Sequence, residues 1–129
     1  HVLEPMEKRT ITLDDGTSKD GFVIYSLGNF MSGQIYPNTK SSVILDIQIT
    51  KSNENKISID NVNYTPIYLY DNGKNSTSRT RYTLIDIESS IKDFDNGKDN
   101  ISDSLYRTLK SELKNIRSTV GNPISKEEA

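Results

Sequence analysis

The stretch "SSVILDIQIT", Ser41 to Thr50, decides the fold class of this chain. Its apolar side chains at positions 43, 45, 47 and 49 point to one side of an extended backbone. The polar side chains at 46, 48 and 50 point to the other side, together with Ile44. Alternation with a period of two is typical of a strand that packs on one face. The stretch therefore predicts a half-buried strand in a protein built on a β-sheet.

Shorter strand-like segments lie on both sides of this stretch, at 11–13 and 22–25 before it and at 57–64, 67–70 and 82–87 after it. In the first segment that follows, Ile59 and Val62 stand on opposite parities, which predicts a bulge or turn at Asp60-Asn61. Pro66 cannot donate a ladder hydrogen bond, so the segment after it is expected to be an edge strand or to begin at Pro66.

Asp86 and Glu88 alternate with Ile85 and Ile87, and this alternation predicts a strand with a solvated face.

One amphipathic helix is predicted near the C terminus, from about Ile101 to Val120. The apolar residues at 101, 105, 109, 113, 116 and 120 form one stripe at helical spacing. Asn100 is the expected N-cap, and Gly121 followed by Pro123 is a typical end of a helix. The sequence thus predicts an α+β fold, in which a small, mostly antiparallel sheet is covered by one C-terminal amphipathic helix.

Composition limits both the size of the core and the class of partner. The 129 residues are 33% hydrophobic and 26% charged, with a net charge of −2 and a mean hydropathy of −0.64. A chain this polar has a thin core or one that another surface completes. We expect a single domain over residues 1–121 and a flexible tail over 122–129.

The charges are interspersed, so nothing predicts a nucleic-acid partner or binding to an anionic lipid surface. No apolar run approaches the ~20 residues of a membrane span. The chain starts at His1 rather than at a methionine, which predicts a fragment or a processed product. Contact with a membrane is then expected only through an anchor upstream of His1.

His1 is the single histidine, and the chain contains no cysteine. A serine or cysteine nucleophile activated by a histidine is therefore not expected, and no catalytic residue is assigned. One imidazole cannot complete a metal site, which needs three or four ligands. A terminal histidine is equally typical of a disordered end or a tag remnant.

Ser26-Leu27-Gly28-Asn29-Phe30 follows the apolar residues 22–25. It is either an ordinary junction between a strand and a turn or the end of a strand that brings polar groups to a site. In the second case Gly28 allows a close approach of backbone, and Asn29 offers both a donor and an acceptor.

Four stretches together resemble the bacterial capsule-synthesis family of the CapA/PgsA type. They are "HVLEPME" (1–7), "VIYSLGNFMSGQ" (23–34), "SSVILDIQIT" (41–50) and "YTPIYLY" (64–70). That family is associated with poly-γ-glutamate synthesis and export and belongs to the calcineurin-like metallophosphatase superfamily. The resemblance, which covers about residues 1–70, implies that the sheet is half of a calcineurin-like β-sandwich and that the chain is the C-terminal part of a larger metallophosphatase-like domain.

The resemblance also implies roles for particular residues. His1 aligns with the last histidine of the family's His-Pro-His motif and would be a metal ligand. Glu4 stands where the family usually has glutamine, while Ser26, Gly28 and Asn29 would support the site or bind at its rim. The superfamily's other ligands for two divalent metal ions would lie upstream of His1. The fragment alone is therefore expected to be inactive and to bind no metal, whereas the full-length protein would hold divalent metal ions.

The first functional hypothesis is a C-terminal fragment of a capsule or poly-γ-glutamate biosynthesis protein, extracytoplasmic and attached to the cell surface or membrane through an upstream anchor. Its partners would be the remainder of its own protein or a second copy, and the machinery of polyglutamate synthesis and export. Two alternatives stay open: part of an intact metal-dependent phosphoesterase, and a free-standing β-rich binding or adhesion module.

Overall fold

The structure is a computed structural model that describes residues 1–73, 81–98 and 101–125. Over these residues the chain forms two antiparallel sheets and two helices. The elements are β1 (Met6–Thr12), β2 (Ser18–Ile24), β3 (Ser41–Lys51), β4 (Ile57–Asp71), β5 (Tyr82–Asp86), α1 (Ile87–Asp95), α2 (Asp103–Val120) and β6 (Ile124–Ser125). The α+β class, the antiparallel pairing and the C-terminal helix are confirmed; a helix before it, α1, was not predicted.

β1 and β2 form a separate two-stranded hairpin, longer than the two short strands predicted there. Its register runs from Met6 opposite Ile24 to Thr12 opposite Ser18. Met6 and Ile24 are half-buried against the hydrophobic core, whereas the far end of the hairpin is exposed. The hairpin is therefore anchored at its base.

The main sheet has the strand order β3-β4-β5, and β6 pairs with β4. Ile49 lies opposite Ile59 and Gln48 lies opposite Asn61, which leaves Asp60 as an extra residue in β4. The bulge predicted at Asp60-Asn61 is thus confirmed. It shifts the parity of the apolar residues in β4 without ending the strand.

The prediction of an edge strand or a new start at Pro66 is wrong, because β4 runs through Pro66 and has neighbours on both edges. Pro66 lies opposite Val43, whose N–H points away from β4 and donates to the carbonyl of Leu27 at 3.1 Å. The backbone nitrogen of Pro66 likewise points away from β3, toward the other edge of β4. There β5 pairs with residues 67–71 and β6 with 61–62, so the proline lies in the gap between them.

The predicted strand face at Asp86 and Glu88 is also wrong, since β5 ends at Asp86 and α1 begins at Ile87. The Asp86 side chain is the N-cap and accepts from the Ser89 N–H at 3.1 Å. Glu88 lies in the first turn, where the helix dipole favours a negative charge. The capping bond and the complete burial of Ile87 select the helix over a continued strand.

α2 supplies the predicted apolar stripe and ends at Val120, and Gly121, which has a φ of 91°, is its C-cap. Its N-cap is Ser102, which accepts from the Leu105 N–H, and Asn100 lies outside the described residues. Leu109, Ile116 and Val120 on this helix pack with residues of β3, β4 and α1 in the buried core. Complete burial of one such side chain is worth about 1.5–3 kcal/mol, so this contact carries much of the stability.

The predicted tail over 122–129 is attached to the sheet as far as it is described, because Ile124 pairs with Val62 and Ser125 with Asn61. Within the part of the chain that the structure describes, no helix has both the length and the apolar composition needed to cross a bilayer.

Candidate functional site

Residues 27–29 form an extra extended segment along the outer edge of β3. The Val43 N–H donates to the carbonyl of Leu27 at 3.1 Å, and the Asn29 N–H donates to the carbonyl of Ser41 at 3.3 Å. These two bonds flank an isolated bridge between Gly28 and Ser42. The strand-to-turn junction identified in the sequence is therefore held against the strand that decides the fold.

The N-terminal residues lie on the far side of this segment. The Glu4 N–H donates to the carbonyl of Ser26 at 3.1 Å, and Leu3 and Leu27 form a second isolated bridge. Of the predicted site residues, Glu4 is attached here through its backbone, and the residue is exposed. The Ser26 hydroxyl accepts from the Gly28 N–H at 3.2 Å, so Ser26 shapes the turn.

Gly28 makes a close approach to the backbone of β3, which the sequence predicted for the case in which this segment brings polar groups to a site. Its φ is +85°, a conformation that residues other than glycine rarely adopt. A Cβ atom here would lie 2.4 Å from the carbonyl oxygen of Ser41 and 2.9 Å from the Cα of Ser42. Both are backbone atoms of β3 and cannot move aside, so the position requires glycine.

Asn29 is buried, with 3% of its surface exposed, and its side chain closes the loop that follows. Its Nδ2 donates to the carbonyls of Ser32 at 2.8 Å and Thr39 at 2.7 Å. Its Oδ1 accepts from the N–H and from the hydroxyl of Ser32, both at 2.9 Å. The side chain of Asn29 thus makes four bonds and joins both ends of loop 30–40.

His1 is bonded to the same serine. Its Nδ1 lies 3.0 Å from the hydroxyl oxygen of Ser32, whose hydroxyl also contacts Asn29. Two predicted site residues that are far apart in sequence therefore meet through one hydroxyl. Ser32 was not predicted, although its place three residues after an asparagine is a spacing at which an asparagine side chain accepts from the backbone.

A groove opens beside the N-terminal segment, between Leu3, Ser41 and α2. Its volume is about 230 Å³, and Glu112, Asn115 and Ile116 of α2 line its far wall. The Ser41 hydroxyl donates to the Glu112 carboxylate and so fixes α2 to the start of β3. No local pattern identifies Glu112, because its partner is 71 positions away in sequence.

An ionic network holds the chain just before Ser26. One carboxylate oxygen of Glu7 accepts from the Tyr25 hydroxyl at 2.7 Å and from Nε of Arg9 at 2.7 Å. These bonds lower the pKa of Glu7 and raise the pKa values of Tyr25 and Arg9, the Tyr25 bond being the largest influence on Glu7. At neutral pH the network is therefore an ion pair with a neutral phenol.

The described residues do not by themselves make the two-metal site that the resemblance implies. Among them, no group of three or more histidine, aspartate and glutamate side chains is placed to hold a metal ion. The side-chain oxygen of Asn29, Oδ1, already accepts two hydrogen bonds, so it is poorly suited to bind a metal ion. His1 offers a single imidazole, which falls short of the three or four ligands that a metal site needs.

No protein-family model, curated protein sequence or solved structure matches this chain. The resemblance to the capsule-synthesis family therefore stays a prediction from the sequence.

Proposed function

We propose that the chain is the C-terminal part of a bacterial capsule-synthesis protein of the CapA/PgsA type, with a fold related to the calcineurin-like metallophosphatases. One observation carries the proposal. Two stretches that the resemblance marks, "HVL" at 1–3 and "SLGNF" at 26–30, are neighbours in the structure, and His1 and Asn29 bind the same Ser32 hydroxyl. The β1–β2 hairpin brings them together, since the Leu3–Leu27 bridge continues the register that pairs Met6 with Ile24. This arrangement puts His1 beside the Asn29 turn, as the proposal requires.

In this proposal the chain contributes one ligand and its support to a centre whose other ligands lie upstream. Metal ions in such centres activate a water molecule and hold a phosphoryl group. Within this chain, β3 and segment 27–29 position His1, while Gly28 and Asn29 fix the adjoining turn. The fragment alone would be inactive, and the whole protein would act at the cell surface with the machinery of poly-γ-glutamate synthesis and export.

An exposed apolar surface supports the view that a larger protein surrounds this chain. Met31, Ile35 and Tyr36 in loop 30–40 are 70%, 84% and 67% exposed. Ile44 and Ile47, which lie on opposite faces of β3, are exposed as well, and within the described residues no strand pairs with the outer edge of β3 beyond Val43. Unpaired edges flanked by apolar side chains favour association with another strand. We propose that the remainder of the same protein covers this surface.

The mass of the isolated chain in solution tests that surface. Size-exclusion chromatography with light scattering should give a mass above the 14.6 kDa of one chain, because the uncovered edges associate. An I44K/I47K variant should shift the mass toward 14.6 kDa, whereas the matched change I11K at the exposed end of the hairpin should not. A monomer that binds no apolar dye would count against the proposal.

A cellular assay tests the biological role. Deletion of codons 1–121 from the chromosomal gene should abolish surface poly-γ-glutamate, measured as glutamate released by acid hydrolysis of polymer that has been extracted from washed cells and freed of protein. Restoring the codons should return the polymer. Wild-type polymer levels after the deletion would overturn the assignment to capsule synthesis.

A metal-dependent phosphoesterase is the neighbouring possibility within the same superfamily. Two measurements on the full-length gene product distinguish a phosphoesterase from a capsule-synthesis protein. They are metal analysis and an assay for turnover of p-nitrophenyl phosphate. Bound metal with turnover that falls in an H1A variant supports the phosphoesterase, and bound metal without turnover supports a role in polymer assembly. If the protein contains no bound metal and shows no turnover, the phosphoesterase hypothesis is excluded.

A free-standing β-rich binding module is a second candidate, and one observation favours it. Ile87, Leu109, Ile116 and Val120 are each 0–1% exposed, so the helices and the sheet close one core within this chain. The module requires a stable monomer, and the light-scattering experiment above therefore distinguishes it from a fragment.

A further inference from the structure

We infer that Ser32 is a positioning residue that holds neutral His1 in the tautomer with its proton on Nδ1, leaving Nε2 as the nitrogen that accepts a proton or binds a cation. The assignment follows from the hydrogen bonds around Asn29 and rests on the proposed function only for what Nε2 would bind.

The orientation of the Asn29 amide is fixed by its partners. Its Nδ2 faces two backbone carbonyls, those of Ser32 at 2.8 Å and Thr39 at 2.7 Å. Carbonyl oxygens only accept hydrogen bonds, so the atom that faces them must be the amide nitrogen. The other atom, Oδ1, also receives the Ser32 backbone N–H at 2.9 Å, which only an oxygen can accept. Both ends of the amide therefore give the same orientation.

The direction of the Ser32 hydroxyl follows from that orientation. Its oxygen lies 2.9 Å from the Asn29 Oδ1, which has no hydrogen to give. A hydroxyl has one hydrogen, and two oxygens at this distance attract each other only when that hydrogen lies between them. Ser32 therefore donates to Asn29, and its lone pairs face outward.

The protonation of the imidazole follows in turn. His1 Nδ1 lies 3.0 Å from the Ser32 oxygen, whose hydrogen is already committed to Asn29. Serine can then only accept, so Nδ1 must carry the proton that it donates. In a neutral imidazole the other nitrogen, Nε2, keeps its lone pair. A bond to the second ring nitrogen is the usual way in which proteins orient a histidine that binds metal.

The sequence makes the experiment unambiguous, because His1 is the only histidine. The probe is ¹⁵N-histidine-labelled chain at a pH where the imidazole is neutral, and long-range ¹H–¹⁵N spectra report which ring nitrogen is protonated. Wild type should be mainly protonated on Nδ1. S32A should lower the ratio of the two tautomers by about three- to tenfold, the effect expected from losing one hydrogen bond of ordinary net strength.

Two further variants show whether the effect belongs to this hydroxyl. S32T keeps a hydroxyl and should retain the wild-type ratio. S58A removes a serine hydroxyl bonded to Asp60 at 2.9 Å, away from His1, and should also leave the ratio unchanged. Equal tautomer ratios in wild type and S32A, with both backbone spectra showing a folded protein, would overturn the inference.

A second readout connects the tautomer to the proposed centre. In the full-length gene product, S32A should weaken Zn²⁺ binding by about 10- to 100-fold in a chelator competition, as is typical of residues that orient a ligand. S32T should bind as wild type does. If S32A has the same tautomer ratio as wild type, Ser32 does not position His1, and the proposed function is unaffected. If the gene encodes no metal ligands upstream of His1, the proposed function is excluded, and the tautomer assignment still holds.

Discussion

The backbone of Gly28 lies so close to Ser41 that a Cβ atom on the glycine would stand 2.4 Å from the serine carbonyl oxygen. This contact presses segment 27–29 against β3 and fixes the start of the turn that Asn29 closes. The geometry of the candidate site therefore depends on a position where no side chain fits.

Gly28→Ala should destabilise the protein by roughly 2–4 kcal/mol, since it adds a collision with backbone to the strain of a positive φ. Urea unfolding followed by circular dichroism measures this. Gly16→Ala is the matched control, because Gly16 has a φ of +80° with nothing within 4 Å of its Cβ position. Its cost should be only the strain, about 1–2 kcal/mol. Equal costs for the two variants would show that the contact with β3 is unimportant.

Asn29→Asp should destabilise the protein by roughly 3 kcal/mol or more at pH 7, because a buried carboxylate would face two carbonyls that Nδ2 now satisfies. This environment raises the pKa of the new carboxyl in the folded state above its unfolded value of about 3.9. The penalty should therefore be smallest below about pH 3.9 and grow as the pH rises toward the folded pKa.

Unfolding of that variant and of wild type at pH 4 and pH 7 gives the test. Asn53→Asp, in the exposed turn between β3 and β4, is the control and should show neither effect. A loss of stability that is the same at both pH values would mean that the charge is not what destabilises Asn29→Asp.

Two neighbouring serines should respond in different ways. Ser41→Ala removes the hydroxyl that donates to the Glu112 carboxylate and should cost about 1.5–3 kcal/mol, the range for a hydrogen bond to a charged group. The Ser42 hydroxyl is buried, with no hydrogen-bond partner among the described residues. Ser42→Ala should thus be neutral within about 0.5 kcal/mol or stabilising. A larger loss at Ser42 than at Ser41 would contradict these two bonding arrangements.

Tyr64 joins β4 to the end of α2, because its hydroxyl donates to the carbonyl of Gly121 at 2.6 Å. Tyr64→Phe should cost about 1 kcal/mol at neutral pH. Burial raises the pKa of Tyr64 above its usual value of 10, so its contribution is complete below about pH 10 and is lost as the pH rises through the folded pKa.

The difference in unfolding free energy between wild type and Tyr64→Phe should accordingly be constant from pH 6 to 9 and shrink above pH 10. Tyr36→Phe, at a 67% exposed position, should match wild type throughout. A difference that stayed constant to pH 11 would show that the pKa of Tyr64 is the same in the folded and unfolded states, so that burial does not raise it.

Features with a short repeat could be predicted from the sequence. β3 and the bulge at Asp60 follow from alternation, which needs no knowledge of distant residues. The stripe of α2 and its end at Gly121 are equally local. The junction at 26–29 was identified for the same reason, since Gly28 and Asn29 differ sharply from the apolar residues before them.

Other features depend on packing that no local pattern reports. The alternation at 85–88 suits a strand, and it is the burial of Ile87 against α2 that makes the segment a helix. Pro66 is tolerated because two different strands pair with β4 on either side of it. Ser32 and Glu112 acquire their roles from partners 31 and 71 positions away.

The coding sequence immediately upstream of His1 tests most directly whether this chain is the C-terminal part of a capsule-synthesis protein. The proposal predicts that the reading frame continues upstream and encodes Gly-x-His-Pro directly before His1, with ligand motifs containing aspartate and asparagine earlier in the frame. An initiation codon adjoining His1, or an upstream frame without those motifs, would contradict it.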